Sequence, residues 1–166
     1  MSDILIINTT THVVNILLDT PDGEKKLVAF PPSGVVAQVS TKTVSVPEGE
    51  PTALVSIVMG DPEGLPDERP DVVFITGTLV LSAPKAAERG DLLAPYNLQR
   101  DANGRPTHCL KFSVSEGMTL YTMRGVNAAL HAYLEGTRTP EGDLERYRAL
   151  VASQRGSDED GAAGDN

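Results

Sequence analysis

Short apolar runs broken by Pro, Gly and Asp fill the first half of the chain. Residues 4–7 and 12–19 read as strands. Between the second of these and a resumed extended run over residues 24–30 stands Thr20-Pro21-Asp22-Gly23, where proline presets φ and glycine accepts a positive φ. The pattern predicts a hairpin over residues 12–30. Pro31-Pro32-Ser33-Gly34 ends it, since proline cannot donate to a strand ladder. Residues 35–46 alternate, with Gln38, Ser40 and Lys42 on one set of positions, which predicts a strand with one wet face. Residues 53–60 and 72–82 are more continuously apolar and suit central strands covered on both sides. Between them lies a loop carrying Pro62, Pro66 and Pro70. Short strands at this spacing predict a barrel or sandwich-like, mainly antiparallel sheet rather than βαβ units.

The pattern then changes. Residues 83–89 suit one helical turn, 91–95 an irregular stretch, and 98–100 a strand pairing with 107–114 across Asp101-Ala102-Asn103-Gly104. Asn-Gly accepts the left-handed angles of a tight hairpin turn. Met118, Tyr121, Val126, Leu130, Tyr133 and Leu134 recur at helical spacing, interrupted by Gly125. Thr139-Pro140-Glu141 reads as a helix start, with a capping hydroxyl, a proline in the first turn and an acid at the positive end of the dipole. Leu144, Tyr147, Leu150 and Val151 give that helix an apolar stripe. The fold expected is α+β: a β-rich core domain over residues 1–114, a helical extension of two helices over 115–155, and a disordered acidic tail over 156–166.

Composition narrows the function classes. The 166 residues suit one domain, and with 23 acidic against 14 basic residues the net charge of −9 opposes bulk nucleic acid and anionic membranes. Only local cationic spots remain. Cys109 is the one cysteine, which excludes an internal disulfide and a cysteine zinc site. No run approaches the roughly 20 apolar residues of a membrane span, and no basic leader precedes the first apolar run, so a cytoplasmic protein is expected.

Ile7-Asn8-Thr9-Thr10-Thr11-His12-Val13-Val14 resembles the I-N-L-T-P-H-x-V opening of a family of small, mostly uncharacterised proteins common in phages and prophages. Pro32-Ser33-Gly34, Gly60 followed by Glu63-Gly64-Leu65-Pro66, the strand expected over residues 73–80, Arg89-Gly90-Asp91-Leu92, Pro95, Arg100-Asp101 with Gly104, and Phe112 continue the likeness in order, over about residues 4–114. Thr9 and Thr11 stand where the family usually has Leu and Pro, and Gln38 where an Arg often follows Ala. The resemblance implies a phage-related setting in the host cytoplasm. Small phage proteins of this size often counter host defence, some as oligomeric sponges for cyclic nucleotide signals.

The candidate ligand-binding residues are Thr10, Thr11, His12, Arg89, Asp91, Arg100 and Asp101. Two hydroxyls and an imidazole can hydrogen-bond a phosphate or base edge, or simply close a turn. A guanidinium matches phosphate bidentately when a carboxylate orients it, and the same Arg/Asp pairs can instead pin loops. Lys42, Arg105 and Lys111 read as solvated charges, and Tyr96 as buried at a sheet edge or, alternatively, stacked on a purine. His108 and Cys109 point to opposite strand faces, so Cys109 reads as a buried thiol rather than a nucleophile. Ser33 lacks a nucleophile elbow, the acids of residues 61–68 lack calcium-loop spacing, and no phosphate loop is present. With no catalytic residues, metal or cofactor to assemble, the expectation is a non-enzymatic binding protein that sequesters a small anionic ligand such as a nucleotide, possible homo-oligomer included. The alternative is a structural or protein–protein interaction protein that uses a sheet edge or the terminal helices. A small hydrolase built on His12 ranks third.

Overall fold

The computed structural model describes residues 3–163, with side chains as far as residue 154. Along the chain run β1 (Leu5–Asn8), β2 (Val14–Asp19), β3 (Lys25–Phe30), β4 (Gln38–Val46), β5 (Leu54–Glu63), β6 (Val72–Ile75), α1 (Thr78–Ser82), α2 (Pro84–Ala87), β7 (Leu92–Arg100), β8 (Pro106–Val114), α3 (Leu120–Glu135) and α4 (Pro140–Ala163). The class is α+β, with a β-rich N-terminal part and two long C-terminal helices. The disordered tail expected over residues 156–166 falls on residues whose side chains lie outside those described. The helix α4 is assigned through Ala163, and residues 164–166 lie outside altogether.

Six strands form one sheet in the order β1-β6-β7-β8-β2-β3. The hairpins β2–β3 and β7–β8 stand where turn chemistry put them. The pairs β1·β6, β6·β7 and β2·β8 are parallel, so the sheet is mixed, while its longer ladders, β2·β3 and β7·β8, are antiparallel as expected. A βαβ unit, which strand spacing argued against, exists after all. Residues 72–82 are not one strand: β6 ends at Ile75, and Thr78–Ser82 turns into α1, which with α2 crosses back to β7. Periodicity cannot separate a short apolar strand from a short helix, and in α1 only Val80 is buried while Leu79 is exposed. Leu92–Pro95, expected to be irregular, belongs to β7 and pairs with both β6 and β8.

The sheet curls until its edge strands meet at one end. Asn8 bridges to Pro32, Ser33 N–H donates to the Asn8 carbonyl at 2.9 Å, and the Asn8 side-chain amide donates to the Phe30 carbonyl at 2.9 Å. Strand alternation then builds two cores. Ile4, Ile6, Val73, Ile75, Phe30 and Cys109 face one side, where Met118, Val126, Ala129 and Tyr133 of the α3 region cover them. Leu5, Ile7, Val72 and Phe74 face the other, under Ala83, Ala86, Leu144 and Tyr147. Covered on both sides, β1 and β6 are buried throughout. The helical extension thus packs on its own sheet. Edge-on ring pairs, Phe30 with Tyr133 at 5.7 Å and Phe74 with Tyr147 at 5.8 Å, join helices to strands. Thr139 caps α4 as its sequence indicates, accepting from Gly142 N–H at 3.0 Å.

The remaining two strands stand apart. β4 and β5 form a two-stranded antiparallel ribbon. Val39 and Met59 root it in the second core, and α1 and α2 lie against its base. Beyond that root Leu54, Val55, Ile57 and Val58 are 64, 56, 67 and 50% exposed. The continuously apolar β5, expected to be a central covered strand, is covered on neither face there. Nor does β4 have a single wet face, since it is exposed along most of its length.

Candidate functional site

The turn after β1 is built around Asn8, which is 1% exposed. Its amide nitrogen donates to the His12 carbonyl at 2.8 Å, and its carbonyl oxygen accepts the Thr10 N–H at 2.9 Å. The Thr10 hydroxyl lies 2.7 Å from that same oxygen and 3.0 Å from the His12 carbonyl. Thr10 therefore closes the turn, while Thr11 and His12 are exposed on it. Sequence reasoning passed over Asn8. The available signal was an Asn two residues ahead of a hydroxyl-rich turn, the spacing of an Asx turn.

Arg89 is held by its own neighbours. Its Nε and one terminal nitrogen donate to the two oxygens of Asp91 at 2.9 and 2.8 Å, and that nitrogen also reaches the Pro66 carbonyl at 2.8 Å. Glu68 lies 3.6 Å away. The bidentate bond to Asp91 outweighs burial and raises the guanidinium pKa above its ordinary value. The fork that would meet a phosphate is occupied. This pair pins the loop after β5, through Pro66, to the entry of β7.

Arg100 and Asp101 serve the β7–β8 hairpin. Arg100 donates to the Gly104 carbonyl at 2.9 Å, and Asp101 Oδ1 accepts the Asn103 and Arg105 N–H groups at 2.9 and 3.0 Å. Arg89 precedes the amino end of β7 and Arg100 ends it, a separation of about 26 Å or more at ~3.3 Å per strand residue. The two guanidinium groups are not brought together. Through the parallel register Asn8 and Ile75 stand level with Leu93, so the Thr10–His12 turn falls beside the first part of β7 and Arg100 lies seven residues further along that strand. No hydrogen bond or ion pair joins them among the described residues.

Other candidates resolve as local structure. Ser33 serves its turn through the Val35 backbone. Cys109 is fully buried, which pushes its thiol pKa up. Tyr96 is 60% exposed, contrary to the burial expected of it. Two open grooves of about 650 and 570 Å³ meet at Pro70-Asp71-Val72. Glu68, Asp71, Glu88 and Asp91 outnumber Arg69 in the larger one, a poor setting for an anion. Among the described residues no group of three His, Cys, Asp or Glu could hold a metal ion, and no helix is long and apolar enough to cross a membrane.

The β4–β5 ribbon carries a cluster of exposed aliphatic side chains. Cross-strand partners share a face, so Val55, Ile57 and Met59 line one side with Ser45, Thr43 and Thr41 opposite them. Leu54 and Val58 line the other with Val46 and Lys42. Of the residues from Thr41 to Val46 and Leu54 to Gly60, Lys42 alone is charged. Glu48 and Glu50 sit at the tip, where the Val46–Pro47 bond is cis. Apolar side chains on both faces and unpaired backbone on both edges make a surface for another polypeptide, not for a small anion. Comparison with protein-family models, curated proteins and solved structures finds no match to this chain. The likeness to phage proteins therefore rests on the motif residues alone.

Proposed function

We propose that this chain is a non-enzymatic protein–protein interaction module whose working surface is the β4–β5 ribbon. One observation carries the reading: four aliphatic side chains, Leu54, Val55, Ile57 and Val58, are half or more exposed on a ribbon unpaired at both edges. Full burial of such a side chain is worth about 1.5–3 kcal/mol, so leaving four in water forgoes a large stabilisation that a partner would restore. A lone two-stranded ribbon is marginal in water, and contiguous exposed apolar surface marks interaction sites. The anionic-ligand reading lacks comparable support, since Arg89 is engaged by Asp91 and stands far from Arg100. In the phage or prophage setting implied by the resemblance, such a module is an assembly or accessory component.

The test places a photo-crosslinking amino acid at Ile57 and, as a control, at Leu27 on β3, which is also half exposed. The full chain is irradiated both purified and in the producing cell. Discrete protein adducts, to itself or to another chain, should form from position 57 and not from position 27. Equal yields from both positions would overturn the reading. So would a nucleotide that raises the melting temperature of the wild type but not of folded Arg100→Ala, which would restore the anionic ligand.

A further inference from the structure

The two edges of the ribbon are not equivalent, and the difference selects a partner. β4 spans Gln38–Val46 and has Lys42 at its midpoint. Antiparallel pairing of β4 with a second β4 about that midpoint would set Lys42 against Lys42, and like charges directly opposite one another destabilise a sheet. Lysine on an exposed edge is a common guard against such addition. β5 carries no guard. Leu54-Val55-Ser56-Ile57-Val58-Met59-Gly60 has no charge and no proline; both appear only at Asp61 and Pro62, where the strand enters the body.

Resting on the interaction reading above, we infer that the partner is a second copy of this chain, added antiparallel along the free edge of β5 about a two-fold axis at Ile57. This register meets the isologous requirement, each residue i meeting j while j meets i. Ile57 then faces Ile57 of the other copy, Val55 faces Met59, Ser56 faces Val58, and Leu54 faces the small Gly60. Val55, Ile57 and Met59 from both copies become one apolar stripe across a four-stranded sheet. Three or more strands also give the stability that two lack. The arrangement brings the acidic tip, Glu48 and Glu50, towards the base of the other ribbon, where Lys85 lies 3.1 Å from Asp61. The paired segment is short beside the about 800 Å² per partner of a standard interface, so association is expected in the micromolar range rather than the nanomolar.

Sedimentation velocity of the purified full chain across the micromolar range should show a reversible monomer–dimer equilibrium. Ile57→Lys, which places two ammonium groups at the axis, should weaken it by about tenfold or more with the far-ultraviolet spectrum unchanged. Ile57→Cys supplies a second reading, because Cβ atoms directly opposite in an antiparallel pair lie about 4.5–5.5 Å apart and are bridged readily after small adjustment. Mild oxidation should link Ile57→Cys chains into dimers but leave Thr43→Cys unlinked, since three strand spacings, about 14 Å, separate the two copies of position 43. Buried Cys109 should not compete. A chain that stays monomeric, a dimer indifferent to Ile57→Lys, or equal linking at positions 43 and 57 would each overturn self-pairing. Monomers that still crosslink from position 57 to a different protein would sink self-pairing while leaving the interaction module standing.

Discussion

Tyr133 on α3 donates its hydroxyl to Asp143 on α4 across 2.6 Å, and Arg138, in the turn between the helices, donates to the same carboxylate oxygen at 2.6 Å. Arg138 also donates to the Ile4 carbonyl at 2.6 Å, and its guanidinium carbon lies 5.5 Å from the centre of the Tyr133 ring. Asp143 is 2% exposed. One buried carboxylate thus ties α3, α4 and the entry of β1 together. Arg146 adds a weaker contact at 3.4 Å.

Asp143→Asn keeps the shape and removes the charge, leaving the largely buried Arg138 with only the exposed Asp3 carboxylate, 3.9 Å away, as counter-ion. Breaking a buried pair from one side costs about 3–5 kcal/mol, whereas Tyr133→Phe loses one hydrogen bond, about 1–2 kcal/mol. Urea unfolding should rank the two in that order. Equal losses would mean that the ion pair is not what holds the helices down.

Burial, followed by the bond to Asp143, pushes the Tyr133 phenol far above its usual value, and burial raises Tyr147 as well. Below about pH 10 the phenols are protonated in both folded and unfolded chains, and their contribution to stability is complete. Above that value the unfolded chain releases protons that the folded chain keeps, so stability should fall as the pH rises. Denaturation series from pH 8 to about pH 11 should show this loss, and Tyr133→Phe should flatten it. An unchanged slope in the variant would exclude Tyr133 as its source.

Arg89 and Arg100 should behave oppositely on substitution. Arg89→Ala leaves the buried Asp91 without its partner and frees the Pro66 carbonyl, for a loss of about 3 kcal/mol or more. Arg100→Ala removes an exposed contact to a hairpin carbonyl and should stay within about 0.5 kcal/mol of the wild type. Thermal or urea unfolding separates them.

Gly125 lies on the face of α3 that meets β1, where a Cβ would run into the Ile4 side chain. Alanine is better than glycine in a helix by about 1 kcal/mol, yet overpacking costs about 1–3 kcal/mol. Gly125→Ala should therefore destabilise the protein on balance. Combining it with Ile4→Ala should cost less than the sum of the two single changes, because each relieves the other. Strict additivity in the unfolding free energies would count against the contact.

Local chemistry was readable before any tertiary contact was known. Thr20-Pro21-Asp22-Gly23 and Asn103-Gly104 placed two hairpins because turns of that kind depend on a few backbone angles. Thr139-Pro140 marked the start of α4 for the same reason. Cys109, flanked by strand residues and without a partner, was readable as a buried thiol. By contrast, Thr10, Asp91 and Asp101 carried functional expectations, yet each bonds residues two to four positions away, because residue order does not say whether a polar side chain turns to its neighbours or outward.

Amino-acid order alone therefore determined the class, the turns, the helix starts and the location of β-rich and helical zones, all of which follow from propensity within a few residues. Tertiary structure decided which strands pair in parallel, that residues 78–82 coil instead of extending, and that the two arginines lie at opposite ends of β7. It also decided the fate of the most apolar strand. Leu54–Val58 reads as core from composition, but burial depends on what is available to cover a segment, and among the described residues nothing covers it.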